Sequence, residues 1–170
     1  MKIALTNLCK TVDFAKESTY HDCISFLREN NIEFIDYASG VETIEAMIEN
    51  FNQSLDSDAD IIWVIRGGVN CIQTLPYLNW DKIVNSKKRF YGLSDFTHFA
   101  TMAVSKGVTC YYGQSLTHIK EYYPTANDQK FIVELLTTGL PANKYASALK
   151  NTKEGLDMTN TKIIGGHLTI

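Results

Sequence analysis

Two short stretches hold residue types that could do chemistry together. Arg66-Gly67-Gly68 follows the apolar run 61–65, and Gly92-Leu93-Ser94-Asp95 follows the apolar pair Phe90-Tyr91. A serine between a strand and a helix sits at a helix N-terminus, where unpaired N–H groups and the dipole favour developing negative charge. That placement suits a nucleophile attacking a carbonyl, with the N–H of Asp95 binding the oxyanion. It also suits a plain helix cap, because Ser and Asp are preferred there, and Phe96 departs from the G-x-S-x-G pattern of common hydrolase elbows. The adjacent glycines have two readings as well: a backbone brought close to a ligand, or a tight strand-to-helix turn. They do not form a phosphate loop, since the Lys-Ser/Thr ending is absent.

The elements that must position these turns follow from periodicity. Residues 2–8 and 32–37 alternate and read as strands, while 61–65 is a continuous apolar run, the pattern of a parallel strand buried on both faces. Residues 90–93 and 108–112 complete the strand set. Helices are expected over 11–30, ending at Asn30-Asn31, over 41–51, and over 95–106, with a short one broken at Pro76 and a turn at 81–85. Lys87, Lys88 and Arg89 read as a solvated connection. Past Gly113 the pattern loosens; 131–136 looks helical, His118 falls in a loop, 145–149 reads as a strand, and the last nine residues are a strand with a double-glycine turn. Regular alternation of strand and helix predicts an α/β fold with a mostly parallel sheet flanked by helices. Both turns would then lie at the carboxyl edge of the sheet, where such folds bind ligands.

Composition narrows the function classes. The 170 residues, 45% hydrophobic, are expected to form one domain over 1–170. Sixteen Lys+Arg against nineteen Asp+Glu, with no basic stripe, give no electrostatic support for a nucleic-acid partner. No apolar run reaches the roughly 20 residues that span a bilayer, so no membrane partner is expected. The opening residues are broken by Thr6 and Asn7 and read as a strand rather than a leader, which makes the expected location cytoplasmic. Cys9, Cys23, Cys71 and Cys110 are scattered without metal-ligand spacing and read as buried thiols. The acidic residues 55–60 lack the Gly and distal Glu of a calcium loop. Neither a metal nor another cofactor is expected.

Taken in order, IIWVIRGG, Leu75-Pro76, Lys88 and GLSDFT resemble the nucleophile domain of the serine peptidases that comprise the LD-carboxypeptidases and the microcin C self-immunity proteins. That domain reads as an apolar strand, R-G-G-Y-G, a helix with Leu-Pro, a loop with Lys, then G-x-S-D-x-T. Tyr111-Tyr112-Gly113 resembles the strand end that follows, with Gln114 where a proline is usual, and IIGGHLTI resembles G-G-N-L-S, with His167 for the asparagine. The resemblance implies a flavodoxin-like nucleophile domain in which Ser94 acylates, and the N–H of Asp95 and the Gly67-Gly68 turn bind the oxyanion. Arg66, Gly67 and Thr97 match positions that shape the substrate site. Family members hydrolyse amide bonds of cytoplasmic muropeptides or of a processed peptide–nucleotide antibiotic, without a metal.

The family's triad adds Glu and His from a C-terminal domain, and no residue here matches either one. A serine hydroxyl needs an adjacent base. His98 shares a helix face with Ser94, and His167 sits near the junction, but neither stands where the family has its base. Three readings follow: a nucleophile half, either a fragment or one whose other half is a separate chain; a relative that binds a muropeptide-like or carboxylate-bearing ligand without turnover; and an interaction module in which Ser94 is a cap, packing on partners or on itself as a homodimer.

Overall fold

The structure, a computed structural model, describes residues 1–113 and 115–138. Strands β1 (Lys2–Thr6), β2 (Glu33–Asp36), β3 (Ile61–Val64), β4 (Arg89–Gly92) and β5 (Cys110–Tyr112) form one sheet in the order β2-β1-β3-β4-β5, with every pair parallel. The expected α/β architecture is therefore present. The chain leaves β1 in one direction, toward β2, and leaves β3 in the other, toward β4, so the switch point at the carboxyl edge lies between β1 and β3.

Helices cover both faces. Alternation along the strands sends Ile3, Leu5, Ile61, Trp63, Ile65 and Tyr91 to one face and Ala4, Ile62, Val64 and Phe90 to the other. The first face is closed by α1 (Ser18–Glu29), α6 (Ile119–Tyr122) and α7 (Ala126–Thr138), through Tyr20, Cys23, Leu27, Ile119, Ile132 and Leu136. The second is closed by α2 (Ile44–Ser54), α3 (Cys71–Thr74), α4 (Trp80–Asn85) and α5 (Thr97–Ser105), through Phe51, Cys71, Ile83 and Phe99. Each buried aromatic ring of this kind contributes about 1.5–3 kcal/mol.

Several boundaries differ from the sequence-based expectation, each for a local reason. The 11–30 segment splits into a one-turn 3-10 helix at Phe14–Lys16 and then α1, because the Asp13 carboxylate accepts the Ala15 N–H and starts a separate turn. The second helix begins at Ile44, since Thr43 caps it by accepting the Ala46 N–H. Asn31 ends α1 with a left-handed φ of 53°. Lys88 is half-buried rather than solvated: its ammonium donates to the carbonyls of Ser57 (2.7 Å) and Ala59 (2.5 Å) and braces the acidic loop before β3. Burial pushes its pKa down, opposed by Asp60, Asp58 and Asp56. After β5 there is more order than expected, with a 3-10 helix at Leu116–His118 followed by α6 and a longer α7; His118 lies in that turn, not in a loop. The expected strand at 145–149 and the ending at 162–170, His167 included, lie outside the described residues.

Candidate active site

The turn after β4 is an elbow. Ser94 holds φ at 54°, a left-handed conformation that costs a side-chain-bearing residue about 1–2 kcal/mol. The surroundings hold it there. Its N–H donates to the Tyr112 hydroxyl at 2.6 Å, its carbonyl accepts from the Thr97 hydroxyl at 2.5 Å, and the Phe96 N–H closes the turn on the Leu93 carbonyl at 3.1 Å. At about 0.5–1.5 kcal/mol each, these bonds offset the strain. The Asp95 carboxylate is buried and accepts the Cys71 N–H at 2.9 Å, which pins the start of α3 to the elbow. Its other oxygen faces His98 Nε2 at 3.5 Å. The backbone N–H of Asp95, second in the one-turn helix Ser94–Phe96, has no acceptor inside that helix.

The glycine turn after β3 packs directly on this elbow. A Cβ at position 67 would stand 2.6 Å from Ser94 Cβ and 3.0 Å from its Oγ. A Cβ at position 68 would stand 1.8 Å from the Cys9 carbonyl oxygen, which already accepts N–H bonds from Val69 (2.8 Å) and Asn70 (3.0 Å). Only hydrogen fits at either place. Among the described residues no acceptor takes the N–H of Gly67 or Gly68, so the turn brings unengaged donors up to the serine.

Charge enters from the β1 loop. Asn7 folds that loop by accepting from the N–H groups of Cys9 and Lys10, both at 3.1 Å. Lys10 then reaches Glu17 at 3.2 Å, and Arg66 pairs with the other oxygen of the same carboxylate. Two cations on one carboxylate leave an excess of one positive charge beside the glycine turn. Cys9, although next to Gly68, is fully buried, and burial, with Cys71 beside it, pushes its thiol well above the ordinary range. It is therefore not a thiolate nucleophile.

Of the residues singled out in the sequence, Ser94, Asp95, Gly67 and Gly68 come together at one point of the sheet edge. Arg66 borders it, engaged with Glu17. Thr97 is buried and turned toward the Ser94 carbonyl rather than toward open space. Lys88 stands at the start of β4, at the opposite end of that strand from Ser94. His98 is directed at Asp95. Lys10 and Glu17 were not singled out, and Tyr112 was named only within a strand end, without a role at the serine. The signal for Tyr112 is strand order: once β5 lies beside β4, Gly92 and Tyr112 are register partners, and the tyrosine ends next to the elbow.

Comparison with known proteins bears on this geometry. The sequence model of the LD-carboxypeptidase N-terminal domain matches residues 3–113. No curated protein matches the chain. Among solved structures, the microcin C7 self-immunity protein MccF in complex with aspartyl sulfamoyl adenosine is similar with a TM-score of 0.69 at 21% identity, over 80% of this chain and 44% of that one. An MccF-like protein from Streptococcus pneumoniae in complex with AMP gives 0.67 at 26% identity, over 82% and 45%. Muramoyltetrapeptide carboxypeptidase from Oxalobacter formigenes gives 0.60 at 23% identity, over 68% and 40%. The chain thus spans less than half the length of each of these structures.

Proposed function

The chain belongs to the LD-carboxypeptidase N-terminal domain family, and we propose that it is the nucleophile-bearing part of a serine peptidase acting on amide bonds of muropeptides or peptide–nucleotide conjugates. The carrying observation is the contact between Gly67 and Ser94, which brings a strained serine and unengaged backbone donors to one spot. Ser94 Oγ attacks the amide carbonyl, and its proton passes to a base. The N–H groups of Asp95 and Gly68 receive the negative charge on the former carbonyl oxygen. The C–N bond then breaks, the amine leaves with the proton held by the base, and water releases the acyl group from Ser94.

The base and its orienting acid come from outside the described residues, from a further stretch of the same protein or from a second chain. His98 is engaged with Asp95 and lies on the helix behind the serine, so it does not serve. The excess positive charge of Lys10 and Arg66 over Glu17 suits a substrate carboxylate, with Arg66 and Gly67 on the substrate side and Thr97 holding the elbow. A second reading, a ligand-binding relative without turnover, rests on the same excess positive charge, which holds a carboxylate whether or not Ser94 reacts.

Fluorophosphonate labelling separates the two. Covalent modification at Ser94, absent in Ser94→Ala, supports the peptidase reading, and release of D-alanine from a murein tetrapeptide would identify the substrate class. A folded protein that binds the tetrapeptide but takes no label at Ser94 supports the second reading.

A further inference from the structure

On the α1/α6/α7 face, under the carboxyl ends of β3, β4 and β5, lies a cavity of about 150 Å³ walled by Trp63, Tyr91, Tyr111, Leu116, Ile119 and Ile132. We propose that it binds a neutral, single-ring aromatic or heteroaromatic group carrying one hydrogen-bond acceptor. The inference stands apart from the peptidase reading and needs no activity at Ser94.

Size sets the first limit, since an apolar cavity of about 150 Å³ holds one benzene-sized ring. Shape sets the second. Trp63, Tyr91 and Tyr111 are register partners on adjacent strands, and their rings stack at centroid distances of 4.9 and 4.6 Å with interplanar angles of 17° and 9°. A flat ring can pack against such a row in the offset or edge-on geometry that aromatic groups prefer. Polarity sets the third. Among the described residues Trp63 Nε1 is buried without a hydrogen-bond partner, a costly state that an acceptor on the ligand relieves; Tyr91 Oη makes no hydrogen bond either, but the Arg89 side chain lies near it. Ser115, also on the wall, is already committed to the Ile65 carbonyl at 2.7 Å and to Thr117. Among the described residues no charged side chain lines the space; Arg89 lies outside it, between the Met1 sulfur and the Tyr91 hydroxyl. An ionised ligand would therefore be buried unpaired, which is unfavourable. Water fits the space poorly, because each molecule needs two to four polar partners and the wall is mostly apolar.

Access is through Tyr112 and Gly113, the exposed residues of the lining. Tyr112 also holds the Ser94 N–H, so an occupant touches the residue that supports the elbow.

The chain has two tryptophans. Trp80 packs on Phe99 across the sheet from the cavity, so Trp80→Phe leaves Trp63 as the sole fluorescent reporter. In that variant, benzamide should shift Trp63 emission saturably with a Kd of about 1 mM, and toluene, which lacks an acceptor, should bind at least about fivefold more weakly. Ligand-detected NMR should show benzamide binding lost in Ile132→Phe, or in Leu135→Phe if the first variant does not fold. In Trp63→Phe it should show the preference for benzamide over toluene shrinking toward one. Absence of saturation by either probe in folded protein, binding unchanged by both filling variants, or a benzamide preference untouched in Trp63→Phe would each overturn the proposal.

Discussion

The two faces of the sheet are packed differently. On the α2–α5 face, Phe99 touches Phe51, Phe90, Phe96 and Trp80 at centroid distances of 5.5, 5.3, 5.3 and 5.5 Å, and the rings fill the layer. On the α1/α6/α7 face, three rings line up in a row beside a space of about 150 Å³, and all three buried polar side-chain atoms without a hydrogen bond among the described residues, on Tyr20, Trp63 and Tyr91, belong to this face. The difference teaches where rigidity is needed. The filled face carries α5, the helix that begins at the elbow, and so fixes Ser94 from below. The other face meets the site through Tyr112 and through Glu17 at the start of α1, and it retains room.

The sharpest way to break this contrast is to hollow the filled face. Phe99→Ala should cost about 3–5 kcal/mol in urea denaturation; a loss of under about 2 kcal/mol would mean that the layer is as yielding as its counterpart. Leu116→Ala, on the wall of the open face, should cost about 2 kcal/mol, at the low end for such truncations, because the wall borders space and can relax. At the elbow between them, Ser94→Gly should gain about 1 kcal/mol by releasing the left-handed strain, while abolishing any fluorophosphonate label. Asn31→Gly, at the same φ but with a residue that tolerates it, should gain less in the same melt.

The smallest expected effect sharpens the comparison most. Tyr91→Phe removes a buried hydroxyl that has the Arg89 side chain near it, so the lost interaction and the relieved burial nearly cancel, and stability should change by less than about 0.5 kcal/mol near neutral pH. Its consequence shows in alkali. Burial pushes the Tyr91 phenol from 10.0 up to about 12, and the Cys23 thiol on the same face from 9.0 up to about 12. The unfolded chain loses these protons first, so stability is complete below about pH 9 and declines as pH rises toward 12. Denaturation at about pH 8 and about pH 11 should show a smaller decline in Tyr91→Phe than in the parent. Equal declines would place the alkaline sensitivity elsewhere, with Cys110 on the filled face, also raised to about 12 by burial, the next group to change.

How far the sequence alone carried this picture depends on the range of the interaction. The run Ile61–Val64 and its two flanking turns were legible because strand burial and turn chemistry are local. Ser94, Gly67 and Gly68 could be named from their types, and order along the chain put them on the same edge. The contact between Gly67 and the serine is an interval of 27 residues closed by β3–β4 pairing, and no periodicity encodes it. The role of Tyr112, named only within its strand end, was hidden for the same reason: its hydroxyl acts on a residue 18 positions earlier. Thr97 shows the opposite failure, in which a motif position was legible but its orientation was not, since a hydroxyl in the first turn of a helix can serve its own backbone as readily as a ligand. After β5, α7 was legible in part, over 131–136, whereas α6 was missed because its four residues are too few to show a period.

The oxygen of Cys9 has a reach beyond its own loop. It takes two amide hydrogens from the third crossover and leaves position 68 no room for any carbon, while the adjoining Val69 is 74% exposed. In a library of all substitutions, tolerance should therefore change from nil to nearly free within a single codon. The first and third connections are bound to vary as one unit, and a graft that replaces either without its mate should lose the corner.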